Sequence, residues 1–306
     1  MLKRRIKTMN KTVKIILIVA AILLPVGVVV TLLGVFFGGS MGWSINMGSQ
    51  KGVIMSGVSE ESMDLKEFDS LKIDVTSADV NIMRGDSFGI SYRTRKGDEP
   101  KVSEENGTLT VTQPSEIVTF FSFDPDVKSN SYTITIPDGS GEISLDAVSS
   151  SGDIMVDRIK VSGDVRSSSG DVMLNDLDGS RLGVSTSSGE IETDKVRIKE
   201  TAFSSSSGDI ALLRSDTDDM SCSTSSGDID IYDSVAGKLD CKASSGDVTV
   251  ELNGSYDDYS YDLQVTSGDI KVNGTEIEGK KYEENAGKSG NITIKTSSGD
   301  IELSFN

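Results

Sequence analysis

Residues 206–247 read SSGDIALLRSDTDDMSCSTSSGDIDIYDSVAGKLDCKASSGD and contain the tetrapeptide Ser-Ser-Gly-Asp three times. Over the chain, this motif and its close variants give the glycine series Gly152, Gly170, Gly189, Gly208, Gly227, Gly246, Gly268 and Gly299. The successive spacings are 18, 19, 19, 19, 19, 22 and 31 residues, and Gly189 is followed by Glu in place of Asp. A further Ser-Gly-Asp at residues 162–164 is out of phase. A near-constant period of this length is typical of a solenoid.

Apolar residues recur at fixed offsets from each glycine. The residues two positions after it are Ile154, Val172, Ile191, Ile210, Ile229, Val248, Ile270 and Ile301. Mostly apolar residues also stand four positions after the glycine, and five and seven positions before it. This alternation predicts strands with one inward face on both sides of the motif. The motif itself is predicted to be a turn, in which glycine supplies a positive φ and Ser and Asp bind local backbone groups.

The repeat therefore predicts the fold class: an all-β, parallel β-helix-like solenoid of about 19-residue coils over residues 141–306. Nineteen residues at roughly 3.3 Å each give a path of about 60 Å, enough to close one coil around a narrow apolar core. Stacked coils would lie about 4.8 Å apart. Cys222 and Cys241 share an inward column, so we expect them in the core, one coil apart, as thiols. Their expected separation leaves a disulfide open.

Residues 61–140 are also rich in strand patterns but lack the period. They contain a degenerate turn motif, Ser77-Ala78-Asp79, and an Asn106-Gly107 hairpin signal. We expect this region to be an N-terminal β cap that protects the edge of the solenoid, with Phe120, Phe121 and Phe123 packed within it.

The first 60 residues predict a membrane anchor. Residues 1–14 carry six basic residues and no acid, and residues 15–39 carry no charge. A run of 25 apolar residues is long enough for an uncleaved transmembrane signal-anchor helix. The positive-inside rule places the basic tail in the cytoplasm and the C-terminal domain outside the cell membrane. Residues 40–60 are predicted to be a linker.

Composition excludes several functions. The chain has 30 Lys and Arg against 48 Asp and Glu, a net charge of −18, so removing the six N-terminal charges leaves −24 for the remainder. Such an acidic surface repels nucleic acid and anionic lipid headgroups, whereas cationic partners, and anionic partners bridged by divalent ions, remain open. The chain has no histidine, which excludes Ser-His-Asp and Cys-His sites and histidine-ligated zinc. Two cysteines are too few for a disulfide framework. We expect no enzyme activity and no cofactor.

The iterated SSGDI sequence, which follows a strand-rich segment ending in ITIP, resembles a bacterial "putative adhesin" family that is also called toastrack-like. The resemblance covers about residues 61–306. It implies a β-solenoid without an established catalytic site, implicated in surface adhesion or envelope stress. The layout of basic tail, single span and repeat domain is similar to a membrane-anchored protein encoded beside an envelope-stress system of Gram-positive bacteria.

Three sets of residues are candidates for chemistry. The acidic column after the glycines could bind Ca²⁺, although one carboxylate per coil favours turn capping. The paired serines could be nucleophiles, but without a base they are better explained as turn residues. Tyr256, Tyr259 and Tyr282 lie in the two irregular repeats, where insertions often form partner-contact loops; the alternative is a neutral surface excursion.

Two functions remain open at this stage, with an inert spacer as a third interpretation. The first is a non-catalytic interaction module of the cell envelope, whose polymer or protein partner is unknown. The second is a β-helix enzyme acting on cell-envelope polysaccharide, which would need two carboxylates in unlike environments within a cleft.

The predicted topology can be tested with protease added to intact cells. Because the C-terminal domain is expected outside the membrane, cleavage should release a fragment that begins near residues 40–60. Protection in intact cells, followed by digestion only after lysis, would contradict this topology.

Overall fold

The structure is a computed structural model that describes residues 43–46, 52–54, 58–114, 119–123, 130–284 and 287–306. The chain divides into two compact units, Met1–Gly57 with Glu116–Lys128, and Val58–Ser115 with Ser129–Asn306. The predicted basic tail and transmembrane helix, residues 1–39, lie outside the described residues. Within the described ranges, the model contains no helix that is both long enough and apolar enough to span a bilayer.

The smaller unit contains a three-stranded antiparallel sheet. Its strands are β1 (Trp43–Asn46), β2 (Gly52–Ile54) and β9 (Thr119–Phe123), and their order in the sheet is β2-β1-β9. The backbone of β9, which carries Phe120, Phe121 and Phe123, pairs with β1. The side chains of these three residues lie outside the described part, and the domain boundaries drawn from the sequence stay predictions.

Among its described residues, the larger unit is all-β apart from one 3-10 turn at Tyr256–Asp258. Its strands are β3 (Val58–Asp64), β4 (Ser70–Val75), β5 (Asp79–Gly85), β6 (Gly89–Arg95), β7 (Lys101–Glu105), β8 (Thr108–Thr112), β10 (Ser131–Pro137), β11 (Ile143–Ser149), β12 (Ile154–Asp157), β13 (Val161–Ser167), β14 (Val172–Thr186), β15 (Ile191–Ser205), β16 (Ile210–Leu213), β17 (Asp216–Thr224), β18 (Ile229–Ser245), β19 (Val248–Leu252), β20 (Tyr259–Ser267), β21 (Ile270–Val272), β22 (Thr275–Ile277), β23 (Lys281–Glu284), β24 (Gly290–Ser298) and β25 (Ile301–Phe305).

Each coil has three inward-facing runs, as β15 shows. Its buried residues are Ile191 and Thr193, then Val196 and Ile198, then Thr201, Phe203 and Ser205. Between these runs lie exposed corners at Lys195 and at residues 199–200, and the Ser-Ser-Gly-Asp turn closes the coil. The sequence pattern predicts the first and third runs. The second run was not predicted, because it lies beyond a corner that interrupts the alternation.

That corner is a residue in the left-handed region, six positions after the glycine. The residues are Arg158, Asp176, Lys195, Arg214 and Asp233, with φ between 49° and 57°. A left-handed residue costs roughly 1–2 kcal/mol for most side chains, and Asp or Asn tolerate it best. Arg and Lys at this position therefore give no local signal of a corner.

Neighbouring coils pair in parallel and in register. Strands β14 and β15 pair from Val172↔Ile191 to Thr186↔Ser205. Cys222 and Cys241 are partners on β17 and β18, and both are buried free thiols, as the inward column predicts. A hydrogen bond with Cys222 and burial raise the pKa of the Cys241 thiol.

The turn glycines are required by close packing more than by their φ angles. An added Cβ at Gly227 would lie 2.3 Å from the carbonyl oxygen of Gly208, and one at Gly208 would lie 1.8 Å from that of Gly189. Neither glycine has a positive φ, whereas Gly268 does, at 134°. The positive φ expected from the sequence is thus wrong for most of these turns. Glycine is required there because the neighbouring backbone occupies the space that a side chain would fill.

The order of the coils in the stack departs from the order in the chain at both ends. The C-terminal coil of β24 and β25 lies between two earlier coils, since β24 pairs with β18 and β20 while β25 pairs with β19 and β21. At the other end, β4 and β5 lie between a coil formed by β8 and β10 and the coil of β11 and β12.

Antiparallel strands close the stack at each end. Strand β6 pairs with β10, β7 pairs with β8, and β3 pairs with β6. Strands β23 and β22 cover β20 and β21 at the C-terminal end. A parallel coil with a free edge could recruit further strands, so these hairpins protect the ends of the solenoid.

The inward column can be tested at Ile229, which has no solvent exposure. Ile229→Asp should lower the free energy of unfolding by about 3–5 kcal/mol or more, because it buries an unpaired charge. Asp228→Asn should change stability little, since its remaining Oδ1 can still accept the hydrogen bond from Asp247 N–H. Thermal unfolding measures both, and equal shifts would contradict the assignment of faces.

Candidate functional site

The acidic column forms a continuous hydrogen-bonded structure, which we call the aspartate ladder. In it, a carboxylate of one coil accepts a hydrogen bond from the backbone N–H of the corresponding acid in the next coil. The donor and acceptor pairs are Asp153 to Asp79, Asp171 to Asp153, Glu190 to Asp171, Asp228 to Asp209, Asp247 to Asp228, Asp300 to Asp247 and Asp269 to Asp300, with N···O distances of 2.8–3.2 Å. These side chains therefore join adjacent turns.

The ladder is interrupted once in the described structure. No hydrogen bond joins Asp209 N–H to Glu190, whose side chain is one methylene longer than its neighbours. Partial desolvation and the carboxylates of Glu192, Asp209 and Asp171 raise the pKa of Glu190. Carboxylates that recur at the spacing of the coils thus repel one another. In the other members of the aspartate ladder, the hydrogen bonds from backbone N–H groups offset that repulsion.

A second column of hydroxyls closes the first four of these turns from inside. The hydroxyl oxygen of Ser149, three residues before Gly152, accepts a hydrogen bond from Gly152 N–H at 2.9 Å. Ser167, Thr186 and Ser205 do the same for Gly170, Gly189 and Gly208. This buried hydroxyl was not predicted, because the motif draws attention to the exposed serine pair beside each glycine. The signal for it is the Ser or Thr that stands three positions before most of the glycines, with Ala243 and Val265 as the exceptions.

Metal binding to the ladder stays untested. Among the described residues, no three acidic, cysteine or histidine side chains come together as a metal site. In the aspartate ladder, each carboxylate uses one of its oxygens to accept a hydrogen bond from a backbone N–H. A Ca²⁺ ion needs six to eight oxygen ligands. The geometry therefore gives the column a role in capping turns.

The structure brings the three candidate tyrosines together at the C-terminal end. Tyr259 is only 7% exposed, and Tyr256 stacks on Tyr261 with ring centroids 4.6 Å apart. The hydroxyl oxygens of Tyr256 and Tyr282 lie against each other, and both hydroxyls donate to Glu284. These two donors lower the pKa of Glu284.

These contacts make the aromatic cluster part of the end of the solenoid. Phe305 lies against Tyr256, Tyr259 and Tyr261. Packed rings with satisfied hydroxyls are typical of a hydrophobic cap. A role of Tyr256, Tyr259 and Tyr282 in partner contact stays a prediction.

Comparison with known proteins agrees with this architecture. Residues 68–304 match the family model described as Toastrack DUF4097. The chain belongs to the Toastrack DUF4097 family. The expected toastrack-like resemblance is thereby confirmed. A search of curated proteins finds no match for this Toastrack protein.

Two solved structures illustrate what this Toastrack protein is similar to. One is named a "putative adhesin" from Bacteroides fragilis NCTC 9343; it has 15% identity and a TM-score of 0.50, with 82% of this chain and 97% of that chain covered. Another, from Parabacteroides distasonis ATCC 8503, is named a "putative lipid binding protein"; it has 20% identity and a TM-score of 0.49, with 81% and 96% covered. At 15% identity, the likeness to the first of these structures shows the fold alone.

Completing the ladder should stabilise this Toastrack protein. In Glu190→Asp, the shorter carboxylate can accept the hydrogen bond from Asp209 N–H, worth about 1 kcal/mol. For a domain of this size the melting temperature should rise by roughly 2–4 °C. The matched control is Glu192→Asp, an acid on the adjacent outward position, which should not raise it. A lower melting temperature for Glu190→Asp than for the control would contradict the interpretation that the aspartate ladder lacks one hydrogen bond at Glu190.

Proposed function

We propose that this Toastrack protein is a membrane-anchored, extracytoplasmic, non-catalytic interaction module of the bacterial cell envelope. The observation that carries the proposal is the in-register stacking of the coils. Because equivalent residues pair from coil to coil, outward side chains form straight columns with a spacing of about 4.8 Å. Such a surface presents the same groups repeatedly, as suits a partner that is long or itself repetitive.

The rigidity of this surface supports the same role. Residues in the columns are fixed by backbone pairing on both sides, and the turns are joined by the aspartate ladder. A surface that is already ordered loses little conformational entropy when it binds. A module with fixed outward columns can therefore gain affinity from many weak contacts.

The name of one solved structure points to the cell surface, since the protein from Bacteroides fragilis that has a similar fold is named an adhesin. The apolar run of residues 15–39 supports anchoring by one span, with the N-terminus cytoplasmic and residues from about 40 onward outside. The proposal that the protein acts under envelope stress is supported by its layout of basic tail, single span and repeat domain alone.

The alternative of a polysaccharide-degrading enzyme has less support. Glycoside hydrolysis needs two carboxyl groups whose environments differ. Most acids of the aspartate ladder share one environment on an open edge, where each bonds a backbone N–H. Glu190 differs from its neighbours, but it lies on the same exposed turns.

Co-sedimentation of the full chain with purified cell envelopes tests the proposal. We expect binding without release of reducing sugars. Ile229→Asp, in which the fold is disrupted, is the control: it keeps the apolar run of residues 15–39 and so measures binding by the anchor alone, which the wild-type chain should exceed. A failure of the wild-type chain to bind wall or membrane fractions would overturn the interaction role, and turnover of wall polysaccharide would favour the enzyme.

A further inference from the structure

A small cavity lies where the first coils of the larger unit meet. Its volume is about 150 Å³, too small for a whole drug-sized ligand but sufficient for one polar group. Ile136 and Ile159 contribute apolar lining. The turn at residues 137–141 forms one side of the cavity, and Arg84, Arg158, Lys160 and Arg197 also line it.

Four basic side chains around one cavity are unusual in a domain this acidic. Three carboxylates also line the cavity, but two of them, Asp176 and Asp178, are both bound by Arg197 at 2.8–3.0 Å. Arg197 is therefore more than neutralised, since together with these two carboxylates it carries a net charge of −1. The three remaining cations face only one further carboxylate of the lining, that of Asp138.

The side chains of Arg84, Arg158 and Lys160 can still bind a ligand. Arg84 Nε lies 3.7 Å from Asp138 Oδ1, a long ion pair between exposed side chains. Arg158 uses its Nε for Asp157, at 2.8 Å, and its terminal nitrogens form no hydrogen bond with the described residues. Lys160 is exposed and makes no ion pair with any residue that the structure describes. Guanidinium groups with free terminal nitrogens are suited to binding oxyanions.

The glycines of the adjoining turn leave access to this site. An added Cβ at Gly141 would meet no atom within 4 Å, and its φ is not positive. Gly141 therefore has neither a conformational nor a packing requirement for glycine within the described structure. A side chain there would instead extend into the space beside the cavity, where a ligand would approach.

We propose that this cavity binds a phosphate ester, held by Arg84, Arg158 and Lys160. A phosphate group offers several oxygens and up to two negative charges, which match three separate cationic donors better than a single carboxylate does. The inference rests on the proposed envelope function and specifies its partner as phosphate-bearing material. Such a group could belong to a polyol-phosphate wall polymer or to a phospholipid headgroup.

Titration of the full chain with glycerol 3-phosphate tests the site, by calorimetry and by amide chemical shifts at residues 139–141 and 158–160. We expect saturable binding that exceeds any effect of chloride at matched ionic strength. Arg158→Asn should weaken it about tenfold or more, because a charge-assisted contact is lost. Asn tolerates the left-handed backbone of residue 158, where φ is 54°.

Arg214→Asn is the matched control. Arg214 occupies the equivalent corner of another coil, with φ of 50° and an ion pair to Asp194, and it does not line the cavity. This variant should bind glycerol 3-phosphate as the wild-type chain does. Equal weakening in both variants, or no saturable binding in the wild-type chain, would overturn the site.

The source of the phosphate is resolved by two further probes, a soluble poly(glycerol phosphate) fragment and phosphatidylglycerol vesicles. Whichever probe binds should lose affinity in Arg158→Asn and keep it in Arg214→Asn. If neither probe binds, the phosphate site is overturned. If cell envelopes bind the wild-type and Arg158→Asn chains equally, the site is also overturned while the interaction role stands.

Discussion

The contact between successive Ser-Ser-Gly-Asp turns determines the rest of the structure. At most turns the carbonyl of one glycine lies where a Cβ of the next glycine would be, so that no side chain fits there, and at Gly152 the carbonyl of Ala78 takes this place. The adjoining carboxylate then accepts the N–H of the next acid. Together these contacts hold two coils at one separation and in one register. A shift by a single residue would lose both contacts and would also turn the inward side chains outward.

Because the register is held at the turns, the core can vary in composition. The second inward run contains Ile159 and Val161 in an early coil but Ser234 and Ala236 in a later one. Ser234 is satisfied locally, since it accepts from Ser215 N–H and donates to the carbonyl of Tyr232, whereas the buried hydroxyl of Thr217, in the same run of another coil, has no hydrogen-bond partner among the described residues. Buried polar groups are tolerated where hydrogen bonds are complete. The interior is thus less dependent on large apolar residues than a globular core.

Several features were predictable from the sequence, and the reasons are physical. The turn motif and the inward columns follow from a constant period, as does the pairing of Cys222 with Cys241. The second run was hidden because Ser215 and Ser234 are polar and because Arg and Lys stand at the left-handed corners. The cavity could not be predicted, since Arg84 reaches residues 158–160 only through the displaced order of the first coils. The aromatic cluster likewise depends on contacts between Tyr256 and Phe305, which are distant in sequence.

The displaced order at the C-terminal end has a consequence for biosynthesis. Strands β20 and β21 emerge from the ribosome before β24 and β25, which are their parallel partners in the finished stack. The coil of β20 and β21 therefore has no parallel neighbour in its final position until residues 290–305 have been synthesised. Earlier coils can add one after another in chain order, whereas β24 and β25 must enter the stack between coils that precede them in the chain. The parallel edges of β18 and β20 thus stay open until this segment lies between them.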